Sequence, residues 1–264
     1  MNVILKGCAM KTSIELAVAC TFYQKRLCWM MSSILQQKGN VPNIIFNVAY
    51  PQNNGNPTTE NVCKFFREQG LNVKETVYPD EKSIQFRGLV RNKQLAEMSA
   101  DFVLFSDSDM VYDPLFFEDL QNQLENTELK NETRCISARR ISLDKQYSKD
   151  YFNKIDKNIY PCVVENAAEF VSKWPIFKVS RSCGAGYFQL ANVKNIKEKC
   201  GGIYVNPENC KDEAECDSYH KTRSDKQFRH LLGGTVTIKT KPQYHLNHER
   251  DNEQDGCKHL TWQR

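Results

Sequence analysis

Apolar runs short enough for buried strands alternate with amphipathic stretches at helical spacing through the first half of the chain. Glu15 to Thr21, ELAVACT, predicts a first strand, and Lys25 to Gln37 a helix whose Leu27, Met30, Met31, Ile34 and Leu35 share one face until Gly39 stops it. Asn43 to Tyr50 predicts a second strand, Pro51 to Pro57 a loop rich in Pro, Asn and Gly, and Thr59 to Gln69 a helix bearing Val62, Phe65 and Phe66. Leu71 to Tyr78 reads as a third strand and Phe86 to Met98 as a helix with Phe86, Leu89, Val90 and Leu95 turned inward. Phe102 to Phe105 is apolar throughout, as a strand buried on both faces is. This β-α-β-α-β-α-β order predicts an α/β fold, a mostly parallel central sheet flanked by helices with right-handed crossovers, and a ligand site at the carboxyl ends of the strands. Thr21, Phe22, Tyr23, Asn47 and the triplet Asp107-Ser108-Asp109 fall at those ends.

The second half is less regular. Asp113-Pro114 starts a helix that Leu115 to Leu124 continues, and Arg134 to Arg139 is a further strand. Ile141 to Pro175 has poor periodicity and scattered aromatics, Tyr147, Tyr151, Phe152, Tyr160, Phe170 and Trp174, which predicts a long excursion covering a substrate. Gly184, Ala185 and Gly186 then precede an alternating run, Tyr187 to Leu190, and a short helix around Val193 to Cys200. Ser224 to Leu232 is a helix with Ser224 as N-cap, Asp225 in the first turn and Gly233-Gly234 as terminator. Thr235 to Lys241 is a last strand, and Tyr244 to Glu253 follows with His245 and His248.

Two carboxylates one residue apart repel, so Asp107 and Asp109 ask for a positive partner, and a divalent cation is the simplest one. Most such triplets are solvated loops; a position just past a buried strand favours the metal reading. Mg2+ or Mn2+ is held in such places by one or two carboxylates, with water and substrate phosphates at the other positions. Either His245 or His248 could complete that site. The helix N-terminus favours the ionised form of Asp225, which could then accept a proton.

Composition narrows the setting. At 264 residues, 40% hydrophobic and 26% charged, the chain is expected to form a single domain. No stretch reaches the roughly 18 to 20 apolar residues of a membrane span, and Lys6, Lys11 and Glu15 interrupt the apolar start, so a cytoplasmic location is expected. Eleven cysteines, an odd number without a CxxC pair, fit reduced thiols better than a disulfide framework or a zinc site. A net charge of +4 suits an anionic ligand such as a nucleoside diphosphate.

Several of these pieces, in this order, resemble the GT-A glycosyltransferases, especially the family-2-type enzymes that use nucleotide sugars. They are the strand ending at Thr21-Phe22-Tyr23; Arg91-Asn92 followed by ADFVLFSDSD; Gly184-Ala185-Gly186; Ser224-Asp225 opening a helix; and His248-Glu249-Arg250-Asp251. The resemblance implies a Rossmann-like, nucleotide-diphospho-sugar transferase fold over residues 1–264, with a nucleotide-binding half, 1–113, and an acceptor-binding and catalytic half, 114–264. It implies that Thr21, Phe22 and Tyr23 line the nucleotide pocket with Ser108, Gly184, Ala185 and Gly186, and that Arg91 touches base or phosphate. Asp107 would meet the ribose or a metal water, Asp109 would bind Mn2+ or Mg2+ bridging the diphosphate, and His248 would be a further ligand. Asp225 matches the family's catalytic base. Two positions depart from the family: Asn47 and its neighbours replace an acid that meets the base of the nucleotide, and Ser224 stands where an acid precedes the catalytic one.

The implied activity is metal-dependent transfer of a hexose or pentose from a nucleoside-diphosphate sugar, a UDP-sugar foremost, to an acceptor hydroxyl with inversion. A glycan, a protein or hydroxylated bases in DNA are all open as acceptors. Asp107-Ser108-Asp109-Met110-Val111 also fits the nucleophile loop of HAD-like phosphatases, although that motif belongs on a first strand and the downstream acidic pair is missing. A non-catalytic nucleotide-sugar binding protein is the third alternative.

Overall fold

The computed structural model describes residues 11–53, 55, 57–84, 87–125, 129, 131–155, 159–180, 187–206 and 224–247, and the backbone of 253–254 and 257–258. The first half runs β1 (Ser13–Ala19), α1 (Gln24–Leu35), β2 (Asn43–Pro51), α2 (Thr59–Glu68), β3 (Val73–Tyr78), α3 (Glu81–Ile84), α4 (Arg87–Ala96) and β4 (Phe102–Asp107). The second half adds β5 (Met110–Tyr112), α5 (Phe116–Glu125), β6 (Cys135–Ala138), β7 (Ile141–Leu143), α6 (Lys145–Lys154), α7 (Ala167–Ser172) and β8 (Ile176–Val179). It continues with β9 (Phe188–Asn192), α8 (Val193–Cys200), β10 (Thr235–Ile238) and β11 (Gln243–His245), and a helix α9 spans 224–231 between α8 and β10.

Seven strands form the central sheet in the order β10-β6-β9-β4-β1-β2-β3. Pairing is parallel from β4 through β1 and β2 to β3 and between β6 and β10, while β9 runs against β4 and β6. The predicted mostly parallel α/β sheet is therefore present, with strands from both halves of the chain in it.

Strand β4 explains its own sequence. Phe102 and Leu104 face one core cluster and Val103 and Phe105 the other, so every position from 102 to 105 is buried and none is left polar. Strand β1 differs, because Glu15 is fully buried, where it accepts a hydrogen bond from Asn47 Nδ2 at 2.5 Å and lies 3.5 Å from Lys74 Nζ. Asn47 in turn takes bonds from Thr76 Oγ1 and Gln94 Nε2, each at 3.2 Å. Asn47 therefore does not lie at the end of its strand as expected: β2 runs from Asn43 to Pro51, and Asn47 is a buried residue in its middle, between β1 and β3.

The described residues of the excursion expected over 141–175 form one strand, β7, and two helices, α6 and α7, with β8 just beyond, and β5-β11-β7-β8 make a second sheet. The Asp144 side chain caps α6 by accepting from the Tyr147 N–H at 2.8 Å. Only Ser148 and Phe152 of α6 are buried, so its apolar face is too narrow to show helical periodicity. What holds it down is aromatic: Trp29 of α1 meets Tyr151, Phe152 and Trp174 with ring centroids 5.6, 5.9 and 5.9 Å away. Among the described residues, no helix is long and apolar enough to cross a membrane.

Candidate functional site

The site grows from the register between two central strands. Ala19, the last residue of β1, lies opposite Asp107, the last of β4, so the loop leaving β1 adjoins the aspartates. That loop carries Thr21, Phe22 and Tyr23. Strand β1 ends two residues earlier than the pattern predicted, which puts all three off the sheet and at its edge. Phe22 has φ of +64°, a left-handed conformation that is rare for a bulky residue and recurs where a loop is held in a set shape. The Tyr23 carbonyl accepts the Leu27 N–H at 2.8 Å and so starts α1.

Beyond Asp107 the chain turns at Ser108 and Asp109 and enters β5, which pairs antiparallel with β11 so that Met110 faces His245. The Leu246 N–H donates to the Asp109 carbonyl at 2.9 Å and fixes this crossing. His245 Nε2 is thereby brought 3.1 Å from Asp109 Oδ2, with both side chains largely buried. Buried Arg26 of α1 donates to the Leu246 carbonyl at 2.6 Å and to Ser148 Oγ at 3.1 Å, tying the start of α1 and helix α6 to the segment that carries His245. His248, Gly184, Ala185 and Gly186 lie outside the described residues.

Helix α4 supplies two arginines one turn apart. The exposed Arg87 reaches Asp107 Oδ1 at 3.4 Å through Nη1. Arg91 is buried, and its Nη1 donates to Asp225 Oδ1 at 2.5 Å and to the Tyr204 hydroxyl. Burial works against the charge on Arg91, but Tyr204, Asp225 and Asp107 around it hold its pKa above the ordinary value. Asp225 stands in the first turn of α9. Burial penalises its charge too, yet Arg91, the Tyr204 hydroxyl and Arg87 outweigh that and hold its carboxyl below the usual carboxylate range. The carboxylate is therefore ionised at neutral pH and keeps about a third of its side chain exposed, at 36%.

Sequence reasoning missed Arg87, Tyr204 and Gln189. Arg87 was legible as the residue one turn before Arg91. Nothing local marks Tyr204 or Gln189, which meet Asp225 only through the tertiary fold.

Among the described residues, no group of three or more His, Cys, Asp or Glu side chains is arranged around one point as a metal cluster would be. Asp109 with His245, beside the partly exposed Asp107, does offer hard oxygens and one imidazole. That donor set suits Mn2+ or Mg2+ sharing its remaining positions with water and phosphate.

No family model matches the chain, and no curated protein matches it in sequence. Solved structures do match its fold. S. aureus TarS 1-349 in complex with UDP-GlcNAc is 12% identical and superposes with a TM-score of 0.60, over 92% of this chain and 60% of that one. A mannosyltransferase from Pyrobaculum calidifontis, PcManGT in complex with GDP-Man and Mn2+, is 10% identical with a TM-score of 0.52, over 88% of this chain and 56% of its own. GalNAc-T7 with UDP, GalNAc and Mn2+ is 10% identical with a TM-score of 0.55, over 89% of this chain and 43% of its own. The protein has the GT-A fold of these glycosyltransferases, and it spans less than two thirds of the length of each.

Proposed function

We propose that the protein is a metal-dependent glycosyltransferase that moves a hexose or pentose from a nucleoside-diphosphate sugar, a UDP-sugar in the first instance, to an acceptor hydroxyl with inversion. The observation that carries this reading is the pair Asp109–His245, set beside Asp107 at the end of the central strand of a GT-A fold. That TarS was solved with UDP-GlcNAc, PcManGT with GDP-Man and Mn2+, and GalNAc-T7 with UDP, GalNAc and Mn2+ supports both the donor class and the metal.

In this reading Asp107, Asp109 and His245 or His248 hold Mn2+ or Mg2+, whose charge would stabilise the departing diphosphate. Thr21, Phe22, Tyr23 and Ser108, with Gly184, Ala185 and Gly186, form the wall of the donor pocket. Arg91 stands at that wall, and Arg87, the exposed guanidinium on the same helix, can turn from Asp107 to a phosphate oxygen. Asp225 takes the proton of the acceptor hydroxyl as its oxygen bonds to the anomeric carbon, while the bond from that carbon to the diphosphate breaks and the nucleoside diphosphate leaves. Attack opposite the leaving group gives inversion. Residues 1–113 act as the nucleotide half and 114–264 as the acceptor half of one domain. Among the described residues, the buried or half-buried thiols of Cys28, Cys63, Cys135, Cys162 and Cys200 are in no disulfide, which suits the reducing conditions of a cytoplasmic location.

The acceptor is a glycan, a protein or a modified DNA base, and salt-dependent retention on hydroxymethylated duplex DNA separates the last from the others. The HAD-like alternative gains no support, since β1 to β3 precede Asp107 in a GT-A sheet, and a purely binding protein of the same fold is separated by turnover.

A thermal-shift panel of UDP-glucose, UDP-GlcNAc, UDP-GalNAc and GDP-mannose, with and without Mn2+, tests donor class and metal together. A nucleotide sugar should raise the melting temperature only with Mn2+, and release of its nucleoside diphosphate should follow, with water as the acceptor. No shift and no release across the panel, or normal turnover by Asp225→Asn, removes the reading.

A further inference from the structure

We propose that Tyr204 is a positioning residue for the carboxylate of Asp225, a role that rests on the reading of Asp225 as the base. Tyr204 is fully buried, stacked on Phe228 with ring centroids 4.3 Å apart and set edge-on to Phe105 at 4.9 Å. A phenol so enclosed carries a strong requirement to hydrogen-bond. Its oxygen lies 2.5 Å from Asp225 Oδ1 and 2.5 Å from Gln189 Oε1, and it has one proton to give. The ionised acceptor forms the stronger bond, so the proton goes to Asp225. Gln189 Oε1 is left to the Arg91 guanidinium, and Gln189 Nε2 donates to the Asp225 carbonyl at 3.0 Å.

The consequence for Asp225 is asymmetric. Oδ1 receives both Arg91 Nη1 and the Tyr204 hydroxyl, whereas among the described residues Oδ2 receives no hydrogen bond. With one oxygen clamped, the carboxylate plane is fixed, and Oδ2 is the oxygen able to take a proton from an incoming hydroxyl.

The residue that holds Tyr204 in place is Asn92, next to Arg91 on α4. Its Oδ1 accepts the Tyr204 N–H at 2.6 Å and the Val205 N–H at 3.0 Å, and its Nδ2 donates to the Val205 carbonyl at 2.7 Å. Arg91 and Asn92 thus address the same base by two routes, one through the side chain of Asp225 and one through the backbone that carries Tyr204.

Tyr204→Phe keeps the ring packing and removes the donor. Against the nucleotide sugar that the wild type turns over, its kcat should fall about ten- to a hundredfold, the range for a hydrogen bond to a charged group, with KM for the donor changed less than about twofold. The acidic limb of the kcat profile should rise by about one pH unit, because a carboxylate that loses a donor becomes a stronger base. Carbon-13 NMR of the Asp225 carboxyl should show the same upward shift without any turnover, and Asn92→Ala should reproduce it if Tyr204→Phe does not fold. An inactive Asp225→Asn together with an unshifted kcat, acidic limb and carboxyl titration in Tyr204→Phe overturns the role of Tyr204 alone. An Asp225→Asn that turns over at the wild-type rate overturns the base itself.

Discussion

His245 Nε2 lies 3.1 Å from Asp109 Oδ2, across 136 positions of sequence. The contact exists because β11 pairs with β5 directly after the aspartate turn, so backbone hydrogen bonds set it rather than side-chain reach. If the pair holds a divalent cation, Asp109→Ala should abolish Mn2+-dependent turnover. His245→Ala should weaken Mn2+ about ten- to a hundredfold, read as the concentration that half-saturates the thermal shift in the presence of UDP. Unchanged Mn2+ dependence in His245→Ala would leave the metal to Asp109 and other groups.

Arg87 is exposed, and its Nη1 lies 3.4 Å from Asp107 Oδ1. The role proposed for it at the diphosphate predicts that Arg87→Met loses affinity for UDP about ten- to a hundredfold while affinity for uridine stays within about twofold. Calorimetric titration with UDP, UMP and uridine separates these cases. An equal loss for all three would point to a collapsed pocket instead.

Trp29 sits where the second-half insertion docks on α1, and its indole N–H donates to the Tyr160 hydroxyl at 3.1 Å. Trp29→Ala should cost about 3 to 5 kcal/mol of unfolding free energy in urea, the usual range for deleting a buried aromatic. It should also increase protease cleavage within 145–180. A loss well under 1 kcal/mol would mean that the aromatic cluster does not anchor the insertion.

Acid should weaken the protein through carboxylates whose folded pKa is depressed. The Arg134 side chain holds the Glu132 pKa down to about 2, from an ordinary 4.5. Asp225 is lowered from 3.8, against its burial, by Arg91 and Tyr204. Each contribution is fully present above the unfolded value and is lost as pH falls through the folded one. Urea midpoints should therefore be flat from pH 7 to about 5 and drop steeply below about pH 4.5, and Glu132→Gln should make the drop shallower. A midpoint that rose on acidification would contradict both pairs.

Much of the first half was legible in the sequence because each strand and helix there obeys its own period. The unbroken apolar run of β4, the helical spacing in α1 and the Gly233-Gly234 stop after α9 each state a local preference that the fold satisfies, whereas Ser224, expected to cap α9, is already its first helical residue. The helix read from Phe86 to Met98 is α4, while the short α3 before it carried no signal of its own, and the insertion looked formless because α6 buries only two of its positions. Asn47 looked like a residue at the end of its strand, but it lies in the middle of β2, and only the pairing of β1 with β2 and the packing of α4 show that its amide joins the buried carboxyl of Glu15 to Gln94.

By itself the sequence determined an α/β chain with carboxylates at the end of its central strand, since hydrophobic period and like-charge repulsion act over neighbouring residues. Which groups answer those carboxylates was decided only in three dimensions. His245, Arg87, Arg91, Tyr204 and Asp225 come together because strand pairing and helix packing cancel sequence distance, and no local pattern records which distant donor will be left facing a buried charge.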